Sequence, residues 1–131
     1  MEIQTKLLPL GETGGLYSII SKEITDDGGV FNLHLNPECI IYKAHFPEQP
    51  ITPGVCITQI AVELAEIIVG HSLQMTGIKN VKFLSILTPS TKTEVTYTIT
   101  IKSSDDKETR IQAVAQSDDV VYAKMSLICK R

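Results

Sequence analysis

The residues whose types and spacing could do chemistry are concentrated between His45 and Glu66. His45 is followed by a proline-rich loop and then by a long apolar segment whose polar residues include Gln59, Glu63 and Glu66. The spacing i, i+4, i+7 places these three on one stripe of a helix. An imidazole that titrates near neutral pH and a carboxyl group are a common pair in general acid–base catalysis. Because a buried polar group needs a hydrogen-bonding partner, the stripe must have a partner or a chemical role.

The helix that would position the stripe is predicted over residues 54–69. Three prolines within residues 47–53 restrict the loop before it to few conformations. Thr52 is predicted to cap the helix, with Pro53 at the first helical position and Gly70 at the C-cap. The segment is apolar almost all round, which predicts a buried helix.

Strand-like patterns fill the rest of the chain. Residues 15–35 hold two apolar runs around the sequence Asp26-Asp27-Gly28-Gly29, a strong hairpin signal. Further runs with strand character follow the helix, at residues 78–87, 93–102, 108–116 and 120–130. The last three runs are about ten residues apart with polar turns between them, which predicts an antiparallel meander.

Two strands, one helix and four strands predict an α+β fold. A helix this apolar has to be surrounded by the sheet, because a flat sheet would cover only one of its sides. We therefore predict a hotdog fold, in which a highly curved antiparallel sheet wraps around one long central helix. Residues 1–131 are predicted to form a single domain, long enough to bury its own core.

Composition excludes several classes of function. The net charge is −3 with no basic cluster, which argues against binding to nucleic acid. The first ten residues lack the pattern of a signal peptide, and no apolar run reaches the roughly 20 residues that span a membrane. The three cysteines show no CxxC pairing, which favours a reduced, cytoplasmic protein. No spacing of ligand residues predicts a metal site, and no other cofactor is expected.

Residues 45–55 resemble a family signature. They read HFPEQPITPGV, which resembles the His-Phe-Pro-Gly-x-Pro-x-x-Pro-Gly-Val motif of the 3-hydroxyacyl-(acyl-carrier-protein) dehydratases of fatty acid synthesis. Residues 77–83, GIKNVKF, are similar to the strand that follows the family's helix. The agreement in strand order extends over residues 15–131. The resemblance implies a hotdog fold and the dehydration of 3-hydroxyacyl thioesters to trans-2-enoyl thioesters.

The resemblance also implies roles for individual residues. His45 would take a proton from C2 of the substrate, and the backbone N–H at Gly54 would polarise the thioester carbonyl. The acid would come from the central helix of the opposite protomer in a dimer. Phe46, Val55, Gln59 and Phe83 would contact the substrate in an acyl tunnel.

The sequence departs from the family at the acid. The family's Glu or Asp lies fourteen residues after the histidine, where this chain has Gln59, and an amide cannot act as an acid. Glu63 occupies the position one helical turn later where many members have glutamine. Our hypothesis is that Glu63 has taken over the role of the acid and that Gln59 orients Glu63 or the substrate hydroxyl.

Other functions stay open at this point. Hotdog thioesterases use a helix carboxylate, and Glu63 could serve that chemistry. Alternatively, the chain is a non-catalytic acyl-binding subunit that pairs with an active homologue, as Gln59 suggests. A nucleophilic Cys39 or Cys56 activated by His45 is less favoured, and Cys56 falls among apolar helix positions that indicate a core residue.

The expected partners are an acyl carrier protein that bears the acyl chain and a second copy of the chain. Candidate contacts to an acidic carrier are the cationic residues Lys43, Lys79, Lys82 and Arg110. A sheet edge left open by one small hotdog unit predicts a homodimer, and a trimer of dimers is a further option that the resemblance implies.

Overall fold

The structure, a computed structural model, describes residues 15–39, 42, 51–89 and 93–131. His45, Phe46 and Lys43 lie outside the described residues. The described part contains six strands and a 16-residue helix. In chain order the elements are β1 (Tyr17–Thr25), β2 (Gly28–Leu35), α1 (Gly54–Val69), β3 (Gln74–Phe83), β4 (Glu94–Ser104), β5 (Thr109–Ser117) and β6 (Val120–Lys130).

The strands form one antiparallel sheet in the order β1-β2-β4-β5-β6-β3. The predicted hairpin is confirmed, since β1 and β2 pair through the Asp26-Asp27 turn with Thr25 opposite Gly28. The predicted meander is confirmed as β4-β5-β6. The sheet is open, with β1 and β3 as its two edges.

The core lies between α1 and one face of the sheet. On β2, Phe31, Leu33 and Leu35 are fully buried, and the intervening Asn32 and His34 are exposed, as alternation predicts for a half-buried strand. The helix contributes a nearly continuous buried surface: Cys56, Ile57, Ile60, Ala61, Val62, Leu64 and Ala65. Because these side chains are buried, they fix the orientation of α1 and therefore the position of Gln59, Glu63 and Glu66 relative to the sheet.

The bounds of the helix agree with those predicted. Gly70 ends it with φ of 83°, in the left-handed region, and its N–H donates to the Glu66 carbonyl at 2.8 Å. The prediction for the start was wrong in detail. Pro53 is the N-cap residue and no side chain caps the helix. The hydroxyl of Thr52 instead forms a 2.7 Å hydrogen bond with the hydroxyl of Tyr42. This bond engages the side-chain oxygen that a helix cap would need.

Strand β3 runs from Gln74 to Phe83, so the predicted range of 78–87 was displaced. The chain leaves the ladder after Phe83, where the N–H groups of Leu84 and Ser85 both donate to the carbonyl of Tyr122. Every residue of this edge strand is exposed or half-exposed, so no fully buried position marks where the strand begins.

All three cysteines are buried as free thiols. Within the described ranges, no helix has the length and apolar character needed to span a membrane.

Candidate active site

The middle of α1 carries a buried acid–amide pair. Glu63 is only 4% exposed. Its Oε2 accepts a 2.9 Å hydrogen bond from Nε2 of Gln59, one helical turn earlier. The predicted contact between these two residues of the stripe is therefore present. Because a carboxylate only accepts hydrogen bonds, the amide nitrogen of Gln59 faces Glu63 and the amide oxygen points away from it.

Tyr17 is the residue at this site that the sequence did not predict. Its hydroxyl donates a 2.9 Å hydrogen bond to Oε1 of Glu63, across 46 residues of sequence. Tyr17 is the first residue of β1 and pairs with Leu35 in the sheet. Tyr17 belongs to the first of the two apolar runs within residues 15–35, but nothing in the local pattern identifies the partner of its hydroxyl. The contact depends on how the sheet packs against the helix.

Burial raises the pKa of Tyr17 far above its ordinary value, and the negative charge of Glu63 and the hydrogen bond to it act in the same direction. Tyr17 therefore keeps its proton at neutral pH and acts as a permanent hydrogen-bond donor. The site consists of a carboxyl group whose two oxygens accept from two different elements, β1 and α1.

The third polar residue of the stripe has a different environment. Glu66 is half-buried, and its Oε2 accepts a 2.7 Å hydrogen bond from the backbone N–H of Leu73. This bond ties the last turn of α1 to the segment before β3. Glu66 therefore has a structural partner within its own chain.

The N-terminal end of α1 brings three other predicted site residues together. Gly54 begins the helix, and a Cβ added there would lie 2.8 Å from Cζ of Phe83, so the aromatic ring packs directly over the glycine. Val55 follows and is 71% exposed. The first N–H groups of a helix have no intrahelical acceptor, and the first turn here contains no acidic residue that would neutralise them. This end can accommodate an oxyanion.

Gly54 and Glu63 are nine residues apart, which is about 14 Å along the helix axis. Gln59 lies between them and is half-buried. The structure thus places Gly54, Val55 and Phe83 at the N-terminal end of α1, and Gln59 and Glu63 in the middle of the helix. His45 and Phe46 belong to the part of the chain that is not described, so their predicted roles remain predictions.

Several apolar side chains at the start of α1, on β3 and just after β3 are exposed. We call Val55, Ile78, Phe83, Leu84 and Ile86 the apolar patch; their exposed fractions range from 53% to 71%. Four of them belong to β3 or to the residues that follow it, at the edge of the sheet. Contiguous exposed apolar residues of this kind mark surfaces that bind something.

A cysteine nucleophile does not fit this environment. Burial raises the pKa of the Cys56 thiol, and the nearby Cys39 raises it further. The thiolate is the reactive form, and a raised pKa makes it scarcer.

One antiparallel sheet packed against a single helix is the architecture of a hotdog-fold protein. The chain belongs to the ApeI-like family, whose model, described as ApeI dehydratase, matches residues 21–125. The predicted relationship to hotdog-fold dehydratases is therefore confirmed. No significant match exists among curated proteins.

Solved structures agree on the fold. The structure titled "The Dehydratase Heterocomplex ApeI:P from Xenorhabdus doucetiae" contains a chain that is 20% identical, with a TM-score of 0.73 over 86% of this chain and 96% of that one. A homologue of HP0420 from Helicobacter felis is 14% identical, with a TM-score of 0.67 over 95% of both chains. A hypothetical thioesterase from Streptococcus pneumoniae, solved with coenzyme A, is 8% identical, with a TM-score of 0.63 over 86% of this chain and 83% of that one.

Proposed function

We propose that the chain dehydrates 3-hydroxyacyl thioesters to trans-2-enoyl thioesters, with the acyl group carried by an acyl carrier protein. The observation that carries this proposal is the buried carboxyl group of Glu63, which Tyr17 and Gln59 hold on α1 of a member of a dehydratase family. In the proposed mechanism Glu63 is the acid and His45 is the base.

In the proposed mechanism the chemistry divides between two protomers. The imidazole of His45, from the partner protomer, takes a proton from C2. The carboxylic acid of Glu63 gives its proton to the hydroxyl on C3, the C3–O bond breaks and water leaves. The N–H at Gly54 of the partner subunit donates to the thioester oxygen, on which charge develops as the C2 proton is removed. Gly54 and Glu63 of one helix are too far apart to reach both the thioester and the C3 hydroxyl of one substrate. His45 and Glu63 then exchange one proton through solvent to complete the cycle.

The apolar patch supports the proposed homodimer. An edge strand with exposed apolar side chains readily pairs with another chain, and β3 is such a strand. Pairing there would cover Val55 and Phe83 and would bring a partner's His45 to the stripe. We further propose that the sheet wraps around α1, that residues 1–131 form one hotdog domain, and that dimers can assemble into a trimer of dimers.

A cationic groove supports the proposed carrier protein. Lys79, Lys102 and Arg110 line a groove of about 320 Å³ that reaches from β3 to β4 across β6 and β5. Arg110 donates to the carboxylate of Glu108 at 2.7 Å, which leaves the charge balance of these four residues positive. Two of the cations, Lys79 and Arg110, are among those that the sequence offered for contact with an acidic carrier.

A second candidate function follows from Gln59. Because an amide occupies the family's acid position, the chain could bind an acyl chain without turning it over and pair with an active homologue. The structural relative from Xenorhabdus doucetiae is a dehydratase heterocomplex. In that case the chain alone is inactive, and it co-purifies with a related chain.

Turnover assays separate these functions. Purified protein is incubated with a 3-hydroxyacyl thioester and with the trans-2-enoyl thioester, and the enoyl absorbance and free thiol are followed. Interconversion of the two thioesters supports the dehydratase, and thiol release would indicate a thioesterase. Glu63→Gln and His45→Ala are each expected to lower turnover at least 100-fold, within the usual contribution of a general acid or base. Turnover that survives Glu63→Gln but not His45→Ala would exclude Glu63 as the acid.

A further inference from the structure

The two oxygens of the Glu63 carboxyl group are not equivalent. Oε1 accepts from Tyr17 on β1, and Oε2 accepts from Gln59 on α1, each at 2.9 Å. A carboxylic acid carries its proton on one oxygen only. Which oxygen carries the proton decides the direction in which it can be transferred.

Tyr17 is well placed to make that choice. It is 1% exposed, and backbone pairing with Leu35 fixes its position in the sheet. Its hydroxyl also keeps its proton, for the reasons of burial and charge given above. A donor that is both rigid and always protonated keeps Oε1 in the role of acceptor.

We propose that Tyr17 is a positioning residue for the acid: its hydroxyl occupies Oε1, so that the transferable proton is carried on Oε2. This proposal rests on the proposed function, because it gives Glu63 the role of the acid. Oε2 is the oxygen on the side of Gln59, which is half-buried and lies one helical turn nearer the N-terminal end of α1. Tyr17 itself does not touch the substrate and donates no proton to it.

The proposal gives Gln59 a defined part in the cycle. While Glu63 is ionised, the amide nitrogen of Gln59 donates to Oε2. Once Oε2 carries a proton, the O–H group needs an acceptor, and either the substrate hydroxyl or the amide oxygen of Gln59 can serve. Rotation of the amide by 180° would exchange its nitrogen for its oxygen. Gln59 can therefore form a hydrogen bond with Glu63 in both its ionised and its protonated state.

Other titratable groups face this site and bear on its pH dependence. Tyr97 on β4 and Glu66 on α1 act on Tyr17, and both raise its pKa. Cys56 on α1 lies close enough to Glu63 to be affected by its charge. None of these groups replaces the hydrogen bond from Tyr17 to Oε1.

The test compares Tyr17→Phe with Tyr97→Phe. Both variants remove a buried hydroxyl that donates to α1, but Tyr97 donates to the backbone carbonyl of Ile57 and not to Glu63. We expect Tyr17→Phe to lower kcat about tenfold or more while KM changes less than about twofold. We also expect the pH profile of kcat to change, because the carboxyl group of Glu63 has lost one of its two hydrogen-bond donors. Tyr97→Phe should leave kcat and the profile close to those of the unaltered protein.

Two results would overturn the proposal. One is a Tyr17→Phe variant that folds and keeps kcat within twofold and an unchanged pH profile. The other is an equal loss of kcat in both variants, which would indicate a general effect of a lost hydroxyl under α1.

A spectroscopic measurement keeps the proposal testable if Tyr17→Phe does not fold or if the chain has no dehydratase activity. The chain contains four tyrosines, so a spectrum of protein labelled at the tyrosine Cζ carbon is simple to assign. Glu63→Gln should shift the Cζ resonance of Tyr17 and leave that of Tyr97 nearly in place. If Tyr17 does not respond, the positioning role is wrong. If Tyr17 responds but the protein shows no turnover, the proposed function fails and the hydrogen bond stands.

Discussion

The middle and the N-terminal end of α1 are built in opposite ways. In the middle, the charged Glu63 is almost fully buried, and its oxygens accept from Tyr17 and Gln59. At the N-terminal end, two apolar side chains, Val55 and Phe83, are more than half exposed. Globular proteins usually bury the second kind of residue and expose the first.

The difference shows which part of the site forms within one chain. In the middle of α1, Glu63 accepts hydrogen bonds from Tyr17 and Gln59 of the same chain, so this part can be preorganised before substrate binds. The N-terminal end leaves apolar surface in water, and burial of that surface is favourable by about 25 cal/mol per Å². We infer that the end is completed by another surface, for which a second copy of the chain and the acyl chain of the substrate are our proposals.

Glu63→Ala should produce the largest effect on stability, because Glu63 accepts the hydrogen bonds from both Tyr17 and Gln59. The change leaves a cavity and deprives the hydroxyl of Tyr17 of its acceptor, so we expect a loss of about 3 kcal/mol in the free energy of unfolding. Urea denaturation at a fixed protein concentration measures it. Glu66→Ala is the matched control: it removes one half-buried carboxylate that accepts from Leu73, and about 1 kcal/mol is expected. Equal losses in the two variants would contradict the expectation that Glu63 contributes more to stability than Glu66.

Val55→Asp tests the other side of the comparison. An aspartate in the first turn suits the helix dipole, so the protomer should fold normally. Burying the new charge at a dimer contact is unfavourable, and we expect the dimer to dissociate at least ten times more readily, which is about 1.4 kcal/mol. Sedimentation velocity over a range of concentrations checks this.

Ile20→Asp is the control for the same experiment. Ile20 is 54% exposed on β1, the opposite edge of the sheet from β3. The variant should remain as dimeric as the unaltered chain. A Val55→Asp protein that dimerises normally would show that the apolar patch has a different occupant.

The sequence predicted the features of these two regions that depend on residues close together in the chain, and it missed those that depend on residues far apart. The bounds of α1 and the pairing of Gln59 with Glu63 were predicted, because both depend on residues within one or two helical turns. The contact of Tyr17 with Glu63 and that of Thr52 with Tyr42 were missed, because each joins side chains that only the folded sheet or loop brings together. The bounds of β3 were missed because no residue of this edge strand is fully buried, which leaves only a weak apolar pattern in the sequence.

Tyr42→Phe tests the residue that bonds to Thr52 immediately before α1. Burial raises the pKa of Tyr42 to about 12, against an ordinary value of 10. Above pH 10 the unfolded chain loses this proton and the folded chain keeps it, so the contribution of Tyr42 to stability is complete below pH 10 and declines towards pH 12. We expect the variant to be about 1 kcal/mol less stable at pH 8. The difference between the two proteins should shrink at pH 11, and a constant difference would contradict the raised pKa.

Gly54→Ala should have the smallest effect on stability and tests the packing at the start of α1. Alanine favours a helix over glycine by about 1 kcal/mol, but the added Cβ would lie 2.8 Å from Cζ of Phe83. Because Phe83 is half exposed, its ring can turn away, and we expect the two effects to leave the free energy of unfolding within about 0.5 kcal/mol of the original. A double-mutant cycle with Phe83→Ala separates them. In the Phe83→Ala background the same glycine substitution should be stabilising, with a coupling of about 0.5 to 1 kcal/mol. Additive effects would mean that the ring does not pack on Gly54, and the N-terminal end of α1 would then be open to solvent before any partner binds.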